Sequence, residues 1–152
     1  MRSGWKAFFV TTPNPRPDFR LVLTFLWSDD RDCDTDGNSS SPASREWTEL
    51  YCRNRENPTE VFDVSPVSPE PLVLLIESPH EWLAARVACF LAMECVGSVA
   101  DKPDGVYSGP GELISKVGEF DLEAAYERVR QSAFRDATLE DPYPNIRRRR
   151  DN

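Results

Sequence analysis

Residues 72–97 restrict the fold more than any other stretch of the sequence. Leu72–Ile76 is an unbroken apolar run of strand length, and Glu77-Ser78-Pro79 turns it into a helix. Ser78 is a good N-cap, and Pro79 suits the first helical position, where a missing N–H costs nothing. His80 and Glu81 fill the first turn. Trp82, Leu83, Val87, Cys89, Phe90, Leu91 and Met93 then cover most of the circumference until Gly97 stops the helix. A helix that is apolar nearly all round is a central core helix, so the rest of the chain has to enclose it.

The preceding residues read as strands. Trp5–Thr11, Arg20–Trp27, Glu46–Cys52 and Glu60–Val64 are short, rich in Val, Phe, Thr, Trp and Leu, and bounded by Pro, Asn, Ser or Gly. Arg20–Trp27 is nearly all apolar and is expected as a central strand covered on both faces. Within Glu46–Cys52, alternation puts Trp47, Glu49 and Tyr51 on one side and Thr48, Leu50 and Cys52 on the other. Ser65–Pro71 (SPVSPEP) is expected as a proline-rich connector, because proline cannot donate to a ladder.

After the core helix, residues 98–101 and 105–108 suggest two short strands around a KPDG turn. Gly109-Pro110-Gly111 leads to a brief helix, Glu112–Val117. Asp121 caps another of about 14 residues, with Leu122, Ala125, Tyr126, Val129 and Ala133 on one face. The expected fold is α+β, an antiparallel or mixed sheet of five to six strands packed against two main helices. It forms a single domain over residues 1–137, and residues 138–152 form an extended tail that carries the basic run Arg147–Arg150.

Charge narrows the function classes. The net charge is −8 with a pI near 4.7, and the acidity is concentrated in the middle of the chain, where residues 28–63 hold ten acids against four cations. Nucleic acid and anionic membranes both need a basic surface, so neither is expected as a direct partner. No run approaches the roughly 18 apolar residues of a membrane helix, and the short apolar stretch near the start does not read as a secretory leader. Cys33, Cys52, Cys89 and Cys95 form no CxxC pair and are expected as reduced thiols in a cytoplasmic protein.

Within the acidic region, Ser28–Ser44 stands out. Asp29, Asp30, Asp32, Asp34 and Asp36 fall within eight residues beside one cation, Arg31. Folding alone gives little reason to gather like charges, so the segment is expected as a flexible acidic loop at 28–45 that serves as an electrostatic handle. Asp32-Cys-Asp-Thr-Asp-Gly37 opens like a calcium loop. It fails at its twelfth position, Ala43, where a bidentate Glu is required, and no metal site is expected.

His80 is the only histidine. HEWLA places Ala84 where the second ligand of a zinc-protease helix would stand. A Glu77–His80 pair at the strand-to-helix corner, with Asp101 nearby, is the one arrangement suited to acid–base chemistry. The simpler reading is an exposed first-turn histidine beside helix-favouring acids. There is no nucleophile elbow, phosphate loop or dinucleotide fingerprint, so neither catalytic residues nor a cofactor is expected.

A small, acidic, single-domain α+β chain without catalytic equipment is similar in general character to the bacterial immunity proteins of polymorphic toxin systems. The likeness covers overall character and rests on no specific motif. It implies a non-catalytic inhibitor that neutralises a cognate toxin, possibly a nuclease, by occluding a basic surface. Asp29, Asp30, Asp32, Asp34 and Asp36 would supply the charge, and Trp27 and Trp47, which flank the loop, the apolar anchoring. A generic adaptor or assembly subunit, and a small enzyme using Glu77 and His80, are the alternatives.

Overall fold

A computed structural model describes residues 2–144. Six strands form one antiparallel sheet: β1 (Lys6–Thr11), β2 (Cys33–Gly37), β3 (Leu50–Asn54), β4 (Val61–Pro69), β5 (Leu72–Ser78) and β6 (Val99–Ala100). Their spatial order is β2-β3-β4-β5-β1-β6. Three α-helices, α1 (Arg20–Leu26), α2 (Glu81–Cys95) and α3 (Leu122–Gln131), complete an α+β fold with two short 3-10 segments. No helix among the described residues is long and apolar enough to cross a membrane.

Strand alternation sorts the sheet into two unlike faces. Phe8 and Val10, Leu50 and Cys52, Phe62 and Val64, and Leu74 and Ile76 join the helices in one buried cluster. The side chains between them, including Tyr51, Arg53, Asp63, Ser65 and Glu77, belong to the opposite, open face.

Helix α2 is central, as its composition requires, with ten of its fifteen residues buried. It starts two residues later than the capping signals suggest. Ser78 remains in β5 and its Oγ accepts the His80 N–H, while His80 takes the extended conformation of the N-cap. At the other end Val96 adopts the left-handed conformation at φ 51°, and Gly97 donates to Ala92 O at 2.8 Å. Gly97 is glycine for a different reason: a Cβ there would lie 1.8 Å from Thr11 O of β1.

Residues 20–26 depart from expectation, forming helix α1 instead of a central strand. A seven-residue apolar run fits either conformation, so periodicity does not discriminate. The deciding residue is Asp18, which is buried. Its carboxylate accepts the Arg20 backbone N–H at 3.0 Å and grips the Arg20 guanidinium through Nε and Nη2. Phe25 then stacks on Phe90 of α2 with centroids 4.6 Å apart.

The proline-rich segment is also structured. Ser65–Pro69 continues β4 and pairs with β5, with a bulge between Pro66 and Ser68. Pairing to β3 ends at Val64, so beyond it β4 has a ladder partner on one side only. Proline is tolerated in a strand at such an edge or bulge, where no donor is needed.

Candidate functional site

The acidic segment is not a free loop. Cys33–Gly37 is strand β2, an edge of the sheet laid against β3. Its partners explain why the aspartates are tolerated. Asp34 bonds Arg53 at 2.7 Å and Arg55 Nε at 2.6 Å, and Asp32 meets Arg55 at 3.2 Å. These two arginines hold the Asp34 carboxyl below its usual range, mainly through their hydrogen bonds. The neutralising cations lie some twenty residues downstream, so local charge counting misses them.

The remaining residues of the proposed handle separate. Asp29 faces inward and accepts from Ser132 at 2.9 Å and from Thr24 at 2.5 Å, which ties the end of α1 to the end of α3. Asp30 is exposed at the turn before β2. Trp27 is half-buried and donates Nε1–H to Glu60 at 2.8 Å. Trp47 is a core residue, 1% exposed, with its Nε1–H bonded to Pro17 O at 2.8 Å. It precedes β3, so strand alternation does not set its direction, and it is not available as a surface anchor.

The calcium-like spacing has another explanation. Asp32 and Asp34 are instead taken up by ion pairs to Arg53 and Arg55. Gly37, the glycine of that motif, serves close packing: a Cβ there would lie 2.4 Å from Glu49 O. Among the described residues no group of three or more His, Cys, Asp or Glu side chains is arranged to hold a metal.

The sheet register assembles a different acidic feature on the open face. Asp36 lies opposite Tyr51, Tyr51 opposite Asp63, Asp63 opposite Glu77, and Glu77 opposite Ala7. Three carboxylates and a phenol thus line up across four neighbouring strands. Glu49 flanks this row. A shallow depression of about 220 Å³ is lined by Asp36, Glu49, Tyr51, Asp63 and Ser65 among others. Asp34 and Arg53 form the next pair along β2 and β3.

One cation crosses the row. The chain turns at Arg2–Trp5, with Trp5 N–H bonded to Arg2 O, and Arg2 is carried over the open face. Its backbone N–H donates to Glu77 Oε2 at 2.7 Å, and its guanidinium lies 3.4 Å from Asp63. The same guanidinium stacks on Trp5 at 4.4 Å and sits 6.0 Å from the Tyr51 ring. Glu77 is buried beneath it, 4% exposed. Burial pushes the Asp63 carboxyl up; Arg2 opposes that shift, and the Glu77 and Glu49 charges add to it.

This arrangement also separates Glu77 from His80. Glu77 belongs to the open face and the Arg2 contact, whereas His80 stacks on Trp82 at 5.0 Å. No hydrogen bond joins the pair among the described residues. The basic run Arg147–Arg150 lies outside the described residues.

Residues missed by sequence reasoning are Arg2, Glu49 and Asp63, together with the true role of Glu77. The available signal was an acid inside an apolar strand, in VFDV and LLIES, since such residues are rarely placed there without a partner. Comparison with family models, curated proteins and solved structures finds no match to this chain.

Proposed function

We propose that this chain is a non-catalytic, acidic binding protein of the immunity type, which neutralises a cognate toxin by covering a basic surface. The observation that carries the reading is the carboxylate row on the open sheet face with one guanidinium already seated on it. An arginine of a partner would make the same kind of contact: an ion pair to Asp63, with Tyr51 and Trp5 as aromatic neighbours. No salt bridge among the described residues engages Asp36 or Glu49, which leaves their charge to act outward. A nuclease is the toxin class that suits such a surface best, because its cleft is built to hold phosphates. A bacterial, cytoplasmic setting belongs to the same proposal.

The contact surface in this reading is Asp34, Asp36, Glu49 and Asp63, with Asp30 and Asp32 at its margin. It keeps the acidic strand of the sequence expectation and replaces the tryptophan anchors. Electrostatic steering raises association rates by roughly 10–1000-fold and falls steeply with ionic strength. The test is Asp34→Lys, Asp36→Lys and Glu49→Lys combined, measured by stopped-flow association with the partner that co-elutes from native cells under mild conditions. The rate at low salt should fall by at least about tenfold, and the deficit should shrink in high salt. An unchanged low-salt rate refutes the electrostatic reading.

The free outer edge of β2 favours a second reading, an adaptor that adds a partner strand to the sheet. Binding of that kind rests on main-chain hydrogen bonds and would be nearly indifferent to salt and to the three lysines.

A further inference from the structure

Two of the four cysteines meet across the acidic edge. In the β2–β3 ladder Cys33 lies opposite Asn54 and Cys52 opposite Thr35, so the two are diagonal neighbours on the core-facing side. Cys33 is partly buried on the edge strand, and Cys52 is fully buried beside it. We propose that Cys33 and Cys52 form a thiol oxidation site, in which a peroxide attacked by Cys33 is resolved by Cys52 into a disulfide that staples β2 to β3.

The ladder places their side chains on the same face, close enough to influence each other's ionisation. Hydrogen bonding from the Cys52 thiol brings the Cys33 thiol below the ordinary thiol range, against burial and the Asp32 and Asp34 charges and with help from Arg31. Contact with Cys33 and burial push the Cys52 thiol up, so it is the poorer first nucleophile. Burial also raises Cys89, and lifts Cys95 to about 12. One accessible, activated thiol therefore stands next to one sheltered partner, the pattern expected of a sensor and a resolving cysteine.

The chemistry balances with hydrogen peroxide as oxidant. The Cys33 thiolate attacks one peroxide oxygen, the O–O bond breaks, and the departing hydroxide takes a proton and leaves as water. Cys33 is then a sulfenic acid. Cys52 sulfur attacks the Cys33 sulfur, its proton leaves with the sulfenic hydroxyl as a second water, and the S–S bond forms. Two thiols have supplied two electrons to one peroxide.

The bridge requires some movement. Diagonal Cβ atoms in an antiparallel pair sit about 7 Å apart, whereas a disulfide holds them at about 3.5–4.5 Å. The missing distance of about 2.5–3.5 Å would have to come from movement of β2, a five-residue edge strand with a ladder on one side only. The consequence would be a pinned β2, with Asp34 and Asp36 fixed on the open face.

Trypsin cuts after Arg31, Arg45 and Arg53, which places Cys33 and Cys52 on separate peptides. The full chain is treated with stoichiometric hydrogen peroxide, alkylated under denaturing conditions, digested and analysed by mass spectrometry without reduction. The expected product is the 32–45 peptide joined to the 46–53 peptide with two hydrogens lost, while Cys89 and Cys95 remain alkylated. In Cys52→Ser, Cys33 should stop at a sulfenic acid that dimedone captures; in Cys33→Ser, Cys52 should stay reduced. Oxidation of Cys33 to sulfinic or sulfonic acid without the cross-link, a Cys33–Cys33 dimer, or faster oxidation of Cys89 or Cys95 would overturn the proposal.

Discussion

Replacing Trp47 by phenylalanine separates a core role from a surface role for this residue. Trp47 is 1% exposed, and its indole N–H is the donor to the carbonyl of buried Pro17. Phenylalanine keeps most of the apolar ring and removes that donor. An orphaned buried carbonyl costs about 1–3 kcal/mol. For a chain of this size each kcal/mol moves Tm by roughly 2–4 °C, so a mid-range loss of ~2 kcal/mol lowers Tm by about 4–8 °C. Trp47→Ala also forfeits the ring's packing and costs about 3–5 kcal/mol, a large share of the ~5–15 kcal/mol that holds a domain folded. Urea unfolding followed by circular dichroism measures both, and an unchanged m-value shows that the compared states are the same. A Trp47→Phe midpoint equivalent to less than about 0.5 kcal/mol of change, the range of ordinary surface substitutions, would refute the assignment of Trp47 to the core.

Three further outcomes follow from individual residues. Gly97→Ala would place a Cβ 1.8 Å from Thr11 O, and the forced separation of α2 from β1 should cost about 3 kcal/mol or more by urea midpoint. Val96→Gly should stabilise by about 1 kcal/mol, because a β-branched residue at φ 51° carries the left-handed penalty that glycine lacks. Asp63→Asn should stabilise the protein at neutral pH. The folded-state pKa of Asp63 lies above its unfolded value, so the native state binds that proton more tightly and ionised Asp63 works against folding. Its penalty is full above the raised pKa and fades as pH falls through it, so the advantage of the variant over the parent should narrow toward acid in matched denaturation curves. An advantage that instead widens in acid contradicts the assignment.

Legibility in the sequence followed the range of the interactions involved. The α2 core helix, β1 and β5 declare themselves because their composition has one solution. Asp121 announces α3 correctly, its side chain accepting from Ala124 N at 3.0 Å, because capping is decided within a few residues. Arg20–Trp27 reads as a strand in the sequence and folds as a helix over Arg20–Leu26, because its apolar run lacks period and its start signal is one buried carboxylate, Asp18, whose weight comes from tertiary burial. Alternation in Glu46–Cys52 separates Leu50 and Cys52 from Tyr51, and the sheet puts the first two in the core and Tyr51 on the open face. Extending it to Trp47 failed because the strand begins at Leu50. The open-face row was invisible, since it depends on the register of β2 through β5 and on Arg2, seventy-five residues from Glu77. Asp32 and Asp34 looked unpaired for the same reason: Arg53 and Arg55 reach them through strand pairing.

Two of the unpaired stretches of backbone in this sheet also differ in how they discourage self-association. Beyond Val64, β4 offers an unpaired flank, and Pro66 and Pro69 withhold two of the donors that another strand would seek. Strand β2 carries no proline and relies on Asp34 and Asp36, whose charge disfavours a second copy laid edge to edge. A cationic strand would meet no such barrier. Because Asp34 and Asp36 would disfavour a second copy at β2 while admitting a cationic strand, a variant that neutralises them to weaken partner binding should also be watched for aggregation.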